Sequence, residues 1–138
     1  MFSLQNKIAV VTGGGSGIGK AISALFAKQG AIVHILELTE ESSKIAVYEI
    51  TAEGGKVFAH ACNVATHDAV VATFEKIGAI NILVNNAGIA HIGKADTTPE
   101  ADFDRIMNVN VKGVYNCLYA AIPQFRKRNG GALPNMAA

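Results

Sequence analysis

The residues with the clearest chemical potential sit in three short stretches. The first is TGGGSGIGK at residues 12 to 20, directly after the apolar run KIAVV. The second is Glu37, 18 residues after Gly19, at the end of another apolar run. The third is NNAG at 85 to 88, again behind an apolar run, with Asn108 and Asn110 further on inside a helical pattern. A glycine-rich turn between a strand and a helix lets backbone N–H groups and a helix N-terminus face an anion, so phosphate binding is the chemistry to consider first.

Two phosphate-binding devices fit the first stretch. Gly14-x-x-x-x-Gly19-Lys20 matches most of the P-loop pattern, but that pattern needs Ser or Thr next to hold magnesium, and the chain has Ala21. The other device is a dinucleotide loop. The common G-x-G-x-x-G spacing is not met cleanly; what stands is Thr12-Gly13-x-x-x-Gly17-x-Gly19. Glu37 adds a second signal. A carboxylate at the end of the second strand accepts hydrogen bonds from ribose hydroxyls and repels a 2′-phosphate, and neither Ser16 nor Leu38 offers a compensating cation. NAD is therefore expected in preference to NADP.

These residues need a scaffold, and the chain alternates strand and helix patterns. Strands are expected at Lys7–Val11, Ile32–Leu36, Lys56–Cys62, Asn81–Val84 and Ala132–Ala137. Helices are expected at Ile18–Lys28, at Glu40–Glu53 with Ile45, Val47, Tyr48 and Ile50 inside, and at Asp68–Ile77 capped by Thr66. A long one opens with Thr98 as cap and Pro99 at its first position, and reaches about Arg128. Asn108, Asn110 and Gly113 mark a local irregularity within it. Such alternation predicts an α/β fold with a doubly wound, Rossmann-type parallel sheet, whose ligands sit beyond the C-terminal strand ends where strand order reverses. There is no internal repeat, linker or low-complexity tract.

Composition narrows the class. With 138 residues, half of them hydrophobic, the chain makes one domain. A net charge of +1 gives no reason to expect nucleic acid or an anionic membrane as partner. Arg126-Lys127-Arg128 before Asn129-Gly130-Gly131 reads as a solvated helix C-terminus. Cys62 and Cys117 make no disulfide framework, and no signal or spanning segment stands out, so a reducing, cytoplasmic location is expected. His60, Cys62 and His67 could be imagined around zinc, but lack the paired spacing of a metal site, and none is expected.

TGGGSGIG, NNAG and Asn108-Val109-Asn110-Val111-Lys112-Gly113, in that order over nearly the whole chain, resemble the short-chain dehydrogenase/reductase family. The resemblance implies hydride transfer between NAD(P) and an alcohol or carbonyl. It implies that Gly13, Gly17 and Gly19, with Ser16 and Ile18, line the pyrophosphate, and that Glu37 takes the adenosine ribose. Asn63-Val64 would meet the adenine, with Asn63 in place of the family's usual Asp. Asn85, Ala87 and Gly88 would wall the nicotinamide ribose. Asn110 matches the family's catalytic-site asparagine.

Departures from the family pattern shape the rest of the reading. The family's Tyr-x-x-x-Lys pair is not found: Tyr48 is followed four residues later by Ala52, Tyr115 by Tyr119, and Tyr119 by Pro123. The terminal NMAA resembles a stretch that ends in the family's catalytic serine, with Ala138 in its place. The segment from Asn63 to Gly78 is shorter than the family norm by ~4 residues, one helical turn. Pro134 suits an edge strand. The expectation is thus the cofactor-binding half of an NAD-dependent oxidoreductase, inactive alone. The alternative is a non-catalytic dinucleotide-binding or oligomerising module. Self-association is expected through the long helix 99–128, by a face including Val114, Leu118, Ala121 and Ile122. His91, Ile92 and Lys94, after NNAG, are candidates to touch substrate.

Overall fold

The computed structural model describes residues 3–89 and 93–134. Its elements alternate: β1 (Ile8–Thr12), α1 (Gly17–Lys28), β2 (Ile32–Glu37), a 3₁₀ turn (Glu40–Ser43), α2 (Lys44–Ala52), β3 (Lys56–Ala61), α3 (His67–Ile77) and β4 (Ile82–Val84). One long helical rod follows, made of α4 (Glu100–Met107), a π turn (Asn108–Lys112) and α5 (Gly113–Arg126). The sheet is wholly parallel, in the order β3-β2-β1-β4. The chain moves outward from β1 to β3 and then returns to the other side of β1 for β4. The strand order therefore reverses between β1 and β4, and the loops after those two strands share one end of the sheet.

The two sheet faces bury two separate cores, which is why the strands read as continuous apolar runs. Ala9, Val11, Val33 and Ile35 face α1 and α2, packing with Ala27, Ala46 and Ile50. Val10, Leu36 and Leu83 face the other way, against Val70 and Phe74 of α3 and Cys117, Ala121 and Phe125 of α5. Each large side chain so buried stabilises the fold by about 1.5–3 kcal/mol. Burial pushes the Cys117 thiol up to about 12, with Cys62 beside it adding to the effect. Among the described residues no helix is long and apolar enough to cross a membrane.

A fifth strand begins beside β4. Ala132 N–H donates to Asn81 O, Leu83 N–H to Ala132 O, and Asn85 N–H to Pro134 O, each at 3.0 Å. Continued, this ladder would have residue 134 donate to Leu83 O, and Pro134 has no N–H for that rung. Residues 135–138, including the NMAA stretch, lie outside the described residues.

Several local expectations need correction. Ile45 and Tyr48 are 64% and 75% exposed, because α2 turns Ala46 and Ile50 to the sheet instead. Thr98 does not cap the long helix; its hydroxyl donates to Lys94 O, and Pro99 takes the cap position. Thr66 occupies the N-cap of α3 but makes no side-chain capping bond. Of the face expected from sequence, Ala121 is fully buried and Val114 and Leu118 are half-buried, so Ile122 alone of the four lies bare and the exposed stripe is shifted around the rod. It runs along Phe103, Met107, Val111, Tyr115, Tyr119 and Ile122, at spacings of four and finally three.

Candidate functional site

The loops after β1 and β4 are held together by one hydroxyl. Thr12, the last residue of β1 and buried, donates through Oγ1 to Val84 O at 3.3 Å. The same oxygen accepts from Asn86 N–H at 3.0 Å and Ala87 N–H at 2.9 Å. Asn86 Nδ2 then donates to Gly13 O at 3.1 Å. Gly13 itself has φ +65°, and a Cβ there would come within 3.1 Å of Ala87 Cα. A side chain at Gly13 would be strained and would push the two loops apart.

The remaining glycines let α1 start close beneath this junction. A Cβ at Gly19 would collide with Gly13 O and Asn86 Nδ2. Ser23, buried in α1, donates from its hydroxyl toward Gly19 O at 2.9 Å and Gly14 O at 3.1 Å, fixing the loop to the helix. Ser16 is the N-cap of α1 but its side chain makes no cap bond, and the first turn holds no acidic residue. The helix therefore presents unsatisfied N–H groups at its N-terminus, suited to an anion.

On the other side of the loop, Glu37 ends β2. Its Oε2 accepts from Gly15 N–H at 2.9 Å. At the end of β3, Asn63 Oδ1 accepts from Ala65 N–H at 3.0 Å, which turns the chain. Val64 is fixed by two contacts from α5. Asn116 Nδ2 donates to Val64 O at 2.8 Å, and a Cβ on Gly113 would come within 2.8 Å of Val64 Cγ2. Because the Asn116 nitrogen is committed to that carbonyl, its oxygen faces His67, and His67 Nδ1 is the donor across 2.9 Å. His67 is thus tied into the α3–α5 contact, away from His60. His60 Nε2 lies 2.9 Å from His34 Nδ1. Among the described residues, no three His, Cys, Asp or Glu side chains gather to hold a metal.

Asn110, in the π turn, grips Ile89 at both ends of its amide. Oδ1 accepts from Ile89 N–H and Nδ2 donates to Ile89 O, both at 2.8 Å. The irregularity expected near Asn110 is this π turn.

These parts enclose a cleft of about 580 Å³ at the C-terminal end of the sheet. Of the residues singled out from sequence, Gly13, Ser16, Ile18 and Glu37 line it from one side, and Asn63, Val64, Ala87 and Gly88 from the other. Gly17 and Gly19 shape the loop without lining the cleft, and Asn85 is buried behind it. The cleft also takes Leu36, Leu38, Cys62, Asn86, Ile89, Arg105 and Val109. Of these, Asn86 and Val109 stood within the NNAG and 108–113 motifs without being assigned a place on the cleft; Leu36, Ile89 and Arg105 carry no sequence signal of their own. Burial raises the Cys62 thiol above its ordinary range, with a hydrogen bond from Thr73 opposing, so it is a poor nucleophile here. Lys94 is exposed, and its N–H donates to Thr97 Oγ1. His91 and Ile92 lie outside the described residues.

Comparison with known proteins shows the family and the fold. The family model for short chain dehydrogenase matches residues 7–138. An uncharacterised oxidoreductase of Thermotoga maritima is 40% identical over 138 residues, covering 99% of this chain and 55% of that protein. A metagenomic short-chain oxidoreductase solved in complex with NADP superposes with a TM-score of 0.94 at 33% identity, over 99% of this chain and 64% of that one. A 7α-hydroxysteroid dehydrogenase solved with NADH and 7-oxo glycochenodeoxycholic acid gives a TM-score of 0.91 at 33% identity, over all of this chain and 57% of that one. The chain spans about half the length of the curated relatives it matches.

Proposed function

The chain belongs to the short-chain dehydrogenase family, and we propose that it forms the cofactor-binding part of an oxidoreductase acting between NAD(H) and an alcohol or carbonyl. The observation that carries the NAD reading is the Glu37 carboxylate, held by Gly15 N–H at the edge of the cleft.

The residues present fit a dinucleotide. The uncapped N-terminus of α1, with Ser16 and Ile18 on the cleft, suits the pyrophosphate. Gly13 and Gly19 let the loop, α1 and the NNAG segment approach one another beneath the cleft, where any Cβ would clash with Gly13 O, Asn86 or Ala87. Glu37 suits paired ribose hydroxyls, and its charge opposes a 2′-phosphate. Asn63 and Val64 offer an adenine wall; Asn63 has spent one lone pair of its amide oxygen on Ala65 and keeps the other. The solved relatives carry NADP in one case and NADH in another, so the choice of NAD rests on Glu37.

The chemistry the cofactor supplies, when bound, is hydride transfer. The chain's own contribution is positional. Thr12 and Asn86 fix the NNAG loop, and Asn110 fixes Ile89 next to it, so Ala87 and Gly88 form a rigid wall for the nicotinamide ribose. Asn110 is the catalytic-site candidate by position, and through its side chain it acts as a positioning residue. The bare stripe from Phe103 to Ile122 is the surface for self-association, since an apolar stripe of that length favours burial. A cytoplasmic setting and a small-molecule substrate belong to the same reading.

The test is a titration of the protein and its Glu37→Ala variant with NADH and NADPH. The variant is expected to lose about tenfold or more in NADH affinity and to gain affinity for NADPH, because the charge-assisted hydrogen bonds to the ribose are lost. Unchanged affinities for both would refute the role of Glu37.

A further inference from the structure

Arg105 takes no part in the loop contacts described above. It lies on α4 and is the one cation among the described residues that line the cleft. Its ion pair with Asp102 is long, 3.9 Å, and its side chain is 56% exposed. A pair of that kind holds an arginine only weakly.

The rod that carries Arg105 has a fixed direction relative to the cleft. Gly113 presses on Val64, Val109 lines the cleft one turn earlier, and Arg105 lines it one turn earlier again. The 105/109/113 face of the rod therefore runs along the side of the cleft that holds Val64, with Arg105 two turns from the Gly113 contact. No aromatic ring lines the cleft among the described residues, so the side chains available to cover a flat heterocycle there are Leu38, Val109 and Arg105.

We infer that Arg105 closes the adenine end of the cleft, its planar guanidinium lying over the purine. This rests on the dinucleotide reading given above. A guanidinium is planar and weakly hydrated, so it stacks on aromatic faces in a way that a lysine ammonium does not reproduce. The exposed Arg105 side chain, its long Asp102 pair and the lack of a stacking ring among the described lining residues leave the role to Arg105.

The experiment is calorimetric titration of the unaltered protein, Arg105→Ala, Arg105→Lys and Glu37→Ala with ADP-ribose. Both Arg105 variants are expected to fold normally, because the side chain is exposed, and to weaken ADP-ribose binding by about five- to twentyfold. Arg105→Lys with unaltered affinity would overturn the inference, since charge alone would then suffice. Arg105→Ala with unaltered affinity would overturn it too. Binding that depends on Glu37 but not on Arg105 defeats this inference alone. No ADP-ribose binding by the unaltered protein defeats the dinucleotide reading and the inference with it.

Discussion

Glu37 Oε2 and Gly15 N–H are joined at 2.9 Å, so the carboxylate stands ready at the cleft edge before any ligand arrives. The approach is close enough that a Cβ on Gly15 would fall 2.9 Å from that oxygen and would collide with Ser42 O. Gly15→Ala is therefore expected to displace Glu37, weakening NADH binding at least as much as Glu37→Ala does. Fluorescence titration of the two variants side by side checks this. Gly15→Ala with wild-type affinity would show that the loop tolerates the methyl group.

Thr12 is the joint between the two ligand-binding loops. Thr12→Val keeps the shape and removes three hydrogen bonds at a buried position, leaving Asn86 and Ala87 N–H groups without their acceptor. A loss of about 2–4 kcal/mol of stability follows, and Thr12→Ser should recover most of it. Urea denaturation of both variants decides the matter.

Asn110 holds Ile89 by two bonds, and Asn110→Ala breaks both. A cost of about 1–3 kcal/mol is expected, with faster amide exchange at Ile89. Protection at Ile89 unchanged by the substitution would contradict the clamp.

The His34–His60 pair makes stability depend on pH. The ring centroids are 5.2 Å apart and the planes 25° apart, with nitrogens at 2.9 Å, so the rings meet edge to edge around one shared proton. Burial, and then His60, lower the His34 pKa from 6.5 to about 4. His60 is lowered too, by burial and by Lys76, with Glu40 opposing. A histidine with a lowered folded pKa takes up its proton on unfolding. Stability is therefore full above about pH 6.5 and falls as pH drops toward 4. Solvent reaching the half-buried rings keeps the effect on the order of 1 kcal/mol. Thermal melts across pH 4 to 7 should show the slope, and His34→Gln should flatten it.

The strand and helix alternation and the glycine loop were legible because each depends on local pattern. Apolar runs of strand length, and glycines where a loop must approach β4, leave marks in neighbouring letters. Glu37 was legible because its position at a strand end places it on the cleft whatever its surroundings. Thr12 was not, since nothing beside it shows that β4's loop would return to its hydroxyl. Arg105 and Val109 reach the cleft only because the rod passes over it. Periodicity marked α2 and α5 as amphipathic, but several apolar residues lay off the buried face of each. Ala46 beat Ile45 and Tyr48 because small residues allow α2 to sit close to Ala27. Thr98 failed as a cap because the helix begins one residue later, which puts Pro99 at the cap position.

The most direct test is the ratio of dissociation constants for NADH and NADPH, measured on the same preparation at fixed salt. The account predicts NADH tighter by about tenfold or more, from the carboxylate of Glu37 alone. Equal binding, or tighter binding of NADPH, would contradict it.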